Sequence, residues 1–176
     1  MNKILTITSI LLLSILLVQC DSGKKKKKRT PLNNNNVVLA DQNYSFENPP
    51  KFRKDDELAF VDAESDEILL QINVEVASND IERARGLMFR AEIEENNGML
   101  FLFGQEHTQS FYMRNTLIPL DIIYINSRMQ IVDIYANTKP LDETSLPSSA
   151  PAQFVVEINA GLCEKYEIEV GDFIVY

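Results

Sequence analysis

A chain of 176 residues with 45% apolar content can bury one substantial core and is too short for two. Its formal charge of −9 hides an asymmetry, because from Asp55 to the end seven basic residues stand against 23 acidic ones, a net of −16. A domain so acidic repels nucleic acid, whose recognition starts from a basic footprint, and is held away from an anionic bilayer.

The amino terminus reads as a targeting segment. Lys3 supplies a short positive region, Ile4 to Val18 is a 15-residue run rich in Ile and Leu, and Leu17-Val18-Gln19-Cys20 closes it. This arrangement resembles a bacterial lipoprotein signal, in which Leu stands at the third position before a Cys; Gln19 occupies the place usually held by a small residue. The resemblance implies a signal peptide over residues 1–19 and a mature chain beginning at lipidated Cys20. The protein would then be anchored to a membrane of the bacterial cell envelope and face the periplasm or the exterior. A transmembrane anchor is the competing reading, since the basic run Lys24 to Arg29 follows the apolar stretch and the positive-inside rule would leave the domain in the cytoplasm. Fifteen residues at ~1.5 Å rise span roughly 22 Å, short of the roughly 30 Å hydrocarbon core, so length favours the lipoprotein. With Cys20 carrying lipid, Cys163 is alone, which excludes an internal disulfide and a cysteine-based zinc site. Cys163 is expected to pack as a small apolar group, and nothing in the sequence brings the single histidine, His107, towards it as a catalytic base.

Residues 20–54 read as a tether: the basic run, Pro31, the Asn33 to Asn36 tract and Pro49-Pro50 bury little. The Lys run either adds attraction to anionic lipid heads or keeps the tether solvated. One globular domain is expected over 55–176. Glu67 to Val76 combines β-formers with partial alternation and predicts a strand. Asn79 and Glu82 have the spacing of a capping box, opening a short helix that Gly86 stops. An aromatic strand is expected over Phe111 to Met113, and strands over Leu120 to Ile125 and Met129 to Tyr135 join in a hairpin around Asn126-Ser127. Phe154 to Ile158 reads as another strand, Asn159 to about Tyr166 as a short helix, and Gly171-Asp172 turns the chain into a closing strand, Phe173 to Tyr176. The fold class is therefore mainly β (α+β), a compact barrel-like or sandwiched antiparallel or mixed sheet with one or two short helices.

Three segments place charges inside apolar neighbourhoods: RARGLMFR (83–90), GMLFLF (98–103) and FYMRNTLIPLD (111–121). Unpaired charge is costly there, so Arg90, Arg114 and Asp121 are either paired internally or wait for a ligand. Arg114-Asn115-Thr116 lies between the aromatic stretch and Pro119, where polar groups gather at the mouth of a sheet, and Arg114 is suited to fork onto a carboxylate or phosphate. The alternative is that Asn115 and Thr116 fold the loop while Arg114 pairs with Asp121 or Glu157. Arg90 and Glu157, each beside apolar residues, join the candidate list.

Asp121 and Glu157 are two carboxylates in apolar strands, and burial would raise them towards the range useful for general acid-base work on a glycan. No nucleophile elbow, phosphate loop or histidine pair accompanies them. Met88, Met99 and Met113 with His107 have the ligand chemistry for Cu(I), and Glu92, Glu94 and Glu95 that for calcium, but neither set has ligand spacing. Core packing by the methionines and a solvated acidic turn are the expected roles, with no metal and no cofactor.

The succession RARGLMFR, GMLFLF, FYMRNTLIPLDIIYI and FVVEINAG followed by Gly171-Asp172 resembles domain-of-unknown-function family 192 over roughly Glu67 to Tyr176. The resemblance implies a mostly-β, barrel-like domain, commonly exported or membrane-tethered, and implies no established activity. Tyr112 stands where the family often has Trp, so any stacking there falls to a smaller ring with a hydroxyl. The expected function is a lipid-anchored binding module for a small polar or anionic envelope ligand, with Arg114, Asn115, Thr116, Arg90 and Tyr112 as contacts. An enzyme acting through Asp121 and Glu157, and a structural or partner-docking lipoprotein, are the alternatives.

Overall fold

A computed structural model describes residues 44–176, so the expected signal peptide, Cys20 and the basic run of the expected tether lie outside the described residues. In chain order the elements are β1 (Asp56–Val61), β2 (Ile68–Ala77), α1 (Asp80–Arg85), β3 (Asn97–His107), β4 (Ser110–Phe111), β5 (Leu120–Ile125), β6 (Ile131–Tyr135), β7 (Leu146–Pro147), β8 (Ala152–Asn159), α2 (Leu162–Lys165) and β9 (Phe173–Val175). Seven strands form one mixed, curled half-barrel sheet in the order β6-β5-β8-β3-β2-β1-β9, and β4 pairs with β7 in a small second sheet. Among the described residues no helix is long and apolar enough to cross a membrane.

The pairing of β2 with β3 is parallel, and the connection that it demands carries α1. Asn79 caps this helix by accepting the Glu82 N–H at 3.0 Å, while Glu82 reaches back to the Ser78 N–H at 2.9 Å. Gly86 ends it at φ +51° and ψ −139°, a region open essentially to glycine. The β5–β6 hairpin is turned by Asn126, whose side-chain oxygen accepts the N–H groups of Arg128 and Gln130 at 2.8 and 3.1 Å. The two outer strands of the large sheet also meet: Gln130 bridges to Phe173, and Ile174 donates to the Met129 carbonyl at 2.9 Å.

Side chains alternate across the sheet, and both faces are covered. Leu58, Phe60, Ile72, Val74, Leu100, Ile123 and Val156 pack within the curl, closed by Leu162, Cys163 and Ile168. Met99, Phe101, Ile122, Tyr124 and Val155 point the other way, under loop segments that contribute Leu87, Met113 and Ile118. Every residue of β5 is consequently buried.

Several elements differ from the expectation. The aromatic stretch is a strand only at Ser110–Phe111, and Met113 is buried beyond it in the loop. The second helix is four residues long because Gly161, at φ +85°, delays its start. Strands β1, β3 and β7 have no counterpart in the sequence reading; β3 is a continuous apolar run ending in polar residues, a pattern that periodicity does not separate from a buried helix.

Gly98 is required by the close approach of β3 and β8. A Cβ there would lie 2.7 Å from the Glu157 carbonyl oxygen and 3.1 Å from both Ile72 and Ile158 side chains. Gly98→Ala is expected to lower the unfolding free energy by about 1–3 kcal/mol, measured by urea denaturation.

Candidate functional site

Strand register decides which charged groups share a face. Glu75 stands opposite Met99, Met99 opposite Glu157, and Glu157 opposite Ile122, so Glu75 and Glu157 lie on one face with a strand between them. Asp121 stands opposite Ile158, one residue out of step, and therefore points to the other face. The two carboxylates considered as an acid-base pair are thus separated by the sheet. Asp121 is fully buried and accepts the Asn137 N–H at 2.8 Å and the Cys163 N–H at 2.9 Å, tying α2 to the turn after β6. Burial, reinforced by this carboxylate, pushes the Cys163 thiol well above its ordinary range, while His107 lies exposed at the end of β3.

Arg90 is held by Glu75 in a buried two-pronged pair, with nitrogen-to-oxygen distances of 2.7 and 2.9 Å. Glu75 also receives the Arg53 N–H at 3.1 Å. The Arg90 Nη groups are therefore engaged by a partner 15 residues upstream, neither Asp121 nor Glu157, although its Nε has no hydrogen-bond partner. Arg90 borders a wide hollow of about 400 Å3 with Pro50, Phe52 and Glu94.

Glu157 is different. Its Oε2 is buried without a hydrogen-bond partner, and the Leu87 N–H that follows the turn at Gly86 faces the carboxyl group. Burial pushes the acid up to about 8, with the Leu87 N–H and the Arg90 charge opposing that rise. Around it lies a cavity of about 240 Å3, lined by the end of α1 and the following turn (83–88), by Phe101 and Phe103 of β3, by residues 109–112, and by Thr116. Phe101 and Phe111 meet edge to face with centroids 4.9 Å apart, and Phe103 approaches Phe111 at 6.4 Å in the same manner. Arg83 is committed to the scaffold, donating to the Ser78 and Leu102 carbonyls at 2.8 Å each and to Asp80 at 2.5 Å. Arg85 stacks over Tyr44 at 5.2 Å and has an unpartnered, buried Nε.

Of the residues singled out from the sequence, Tyr112, Thr116 and Glu157 line this cavity. Arg114 is exposed and folds back over Tyr112, 4.9 Å from the ring and 3.1 Å from its hydroxyl. Asn115 takes a positive φ of 58° and turns the chain, and its carbonyl accepts the Phe89 N–H at 2.8 Å. The sequence reading missed Arg85, Gly86, Phe101, Phe103 and Phe111 as lining residues. The signal for the first two was the Arg83-Ala84-Arg85-Gly86 run, where a helix-stopping glycine follows the last arginine. Among the described residues no three His, Cys, Asp or Glu side chains gather closely enough to hold a metal. Met88, Met99 and Met113 are all buried.

Residues 61–176 match DUF192, described as "Uncharacterized ACR". The chain belongs to the DUF192 family. A UPF0127 protein of Pyrococcus furiosus is 32% identical over 108 residues, which cover 58% of this chain and 85% of that one. A UPF0127 protein of Thermococcus gammatolerans is 30% identical over 104 residues, covering 58% of this chain and 65% of its own length. A crystal structure of a protein of unknown function from Novosphingobium aromaticivorans superposes with a TM-score of 0.65 at 37% identity, covering 68% of this chain and 84% of that one. The DUF192 match includes the α1 turn, the Phe-rich β3 and Glu157, so the whole lining of the cavity belongs to the family domain.

Because Glu157 keeps its proton up to about pH 8 in the folded chain and releases it near its ordinary 4.5 when unfolded, the folded state binds more protons across that window. Its contribution to stability is present at low pH and is lost as pH rises through the window. Glu157→Gln is expected to remove this slope, so that the variant gains Tm relative to the unsubstituted chain on going from about pH 5 to about pH 8.5 in paired thermal melts.

Proposed function

We propose that this protein is a lipid-anchored envelope binding module whose DUF192 domain takes a small polar ligand into the Glu157 cavity. The observation that carries the reading is the buried, unpartnered Oε2 of Glu157 at a cavity large enough for a small molecule. A polar atom left without a partner inside a protein costs free energy, and a ligand that supplies the missing hydrogen bond recovers it. Arg85 Nε offers a donor to the same guest, and the three phenylalanines give it apolar surface. Binding is favoured over glycan hydrolysis because Asp121 lies across the sheet and is spent on two backbone N–H groups.

The anchor rests on the sequence: the apolar run ending at Cys20, followed by Lys24 to Arg29. Basic residues beside a lipidated cysteine are drawn to anionic head groups, while a domain of charge −16 is repelled by them. Such a domain would stand off the bilayer with its cavity open to solutes.

The test uses the full chain in detergent micelles and thermal-shift measurements with N-acetylglucosamine, a soluble muropeptide, acetate and small amines. At least one probe is expected to raise Tm by several degrees at saturating concentration, through about 2.7 kcal/mol at a hundredfold excess over Kd, and Glu157→Gln is expected to lose the shift. No shift from any probe, or an undiminished shift in the variant, refutes the cavity as a binding site. Cys20→Ala is expected to move the protein from the membrane to the soluble fraction of a bacterial host; retention on the membrane refutes the lipid anchor.

A further inference from the structure

We propose that the ligand of the Glu157 cavity is a short zwitterion of the amino-acid class, its primary ammonium group seated on Glu157 among the phenylalanine rings and its carboxylate on Arg85. This rests on the cavity being a binding site and goes further by naming the chemistry of the guest. Three charged side chains line the cavity: Arg83, Arg85 and Glu157. Arg83 is occupied by two backbone carbonyls and Asp80. The other buried cation nearby, Arg90, is engaged by Glu75. Among the described residues no cation is bonded to Glu157, and its Oε2 is left without the hydrogen-bond partner that a guest can supply.

An ammonium group satisfies both needs together, since it donates the bond and supplies the counter-charge, and such charge-assisted bonds are about twice as strong as neutral ones. The rings around it favour the same sign of charge. Phe101, Phe103 and Phe111 meet at interplanar angles of 88° and 79°, forming an aromatic corner, and aromatic faces attract cations. Phe103 already receives one, the Arg83 guanidinium 5.4 Å from its centroid.

At the other end Arg85 Nε is an unpartnered donor suited to an anion. Gly86 borders the acid: a Cβ there would lie 3.4 Å from the Phe101 ring and 3.5 Å from Glu157 Oε2. A cavity of about 240 Å3 holds a guest of roughly eight heavy atoms, taking about 30 Å3 each as for liquid water, which is the size of a small amino acid.

Binding has a proton balance. At neutral pH Glu157 is protonated, so seating R–NH3+ against it ionises the acid and passes its proton to buffer, with no bond of the guest made or broken. The groups that face Glu157 and shape this step are Arg90, Glu75 of β2, Tyr124 of β5, and Arg83 and Arg85 of α1.

Isothermal titration of the full chain in micelles distinguishes the outcomes, using alanine and 4-aminobutyrate as zwitterions, n-butylammonium as cation, butyrate as anion and glucose as neutral probe. Each is titrated at about pH 7 in two buffers of different ionisation enthalpy. The expected result is that a zwitterion binds with release of about one proton, that n-butylammonium binds about tenfold more weakly with the same release, and that butyrate and glucose bind less well than either. In Glu157→Gln the proton release disappears and affinity for both ammonium probes falls about tenfold or more. In Arg85→Gln, at the half-buried rim, the zwitterion falls to the level of n-butylammonium and the proton release persists. If butyrate or glucose occupies the cavity, losing its binding in Glu157→Gln, while no ammonium probe does, the zwitterion is refuted and the binding reading stands. If no probe binds, both fail.

Discussion

The central strands of the sheet are buried on both faces, so a carboxylate placed in them meets its hydrogen-bond donors from the loops or does without. Three carboxylates live under that constraint and resolve it in three ways. Asp121 takes two backbone N–H groups and becomes a bracket between α2 and the turn after β6. Glu75 takes Arg90 and the Arg53 N–H, fixing the segment after α1 against the sheet. Glu157 has the Leu87 N–H beside it and keeps an Oε2 without a hydrogen-bond partner. The first two contribute to holding the fold, and the third leaves an unpartnered polar atom at the cavity.

The position of Glu157 follows from a chain of local requirements. Gly98 allows β3 and β8 to close up, which sets Glu157 level with Met99. Gly86 breaks α1 in a conformation that other residues avoid and turns the Leu87 N–H inward. Phe101, on β3, supplies the wall. Each requirement is met by a different stretch of sequence, and they converge through the sheet pairings.

Much of the architecture was legible in the residues. Asn79, Glu82 and Gly86 announced α1 by the chemistry of helix ends, and Asn126 announced the β5–β6 turn through its side-chain acceptor. The cavity was less legible for two physical reasons. Parity within a strand can be read along the chain, but the offset between strands cannot, so Asp121 and Glu157 look alike until register sends them to opposite faces. Arg90 and Arg114 likewise each stand beside apolar residues. Arg90 falls where β2 presents Glu75 and is swallowed, whereas Arg114 falls just before the positive-φ turn at Asn115 and stays in water.

The meeting of β6 and β9 has a consequence for how copies of the chain meet one another. Neighbouring copies with bare strand borders invite one another to continue the ladder, and crowding makes that worse. Here the Gln130 end of β6 spends its backbone groups on the far end of the same sheet, with Ile131, Asp172 and Ile174 completing the seam. The fold thereby hems its own fabric at the place where two molecules packed shoulder to shoulder would otherwise begin to fray into each other.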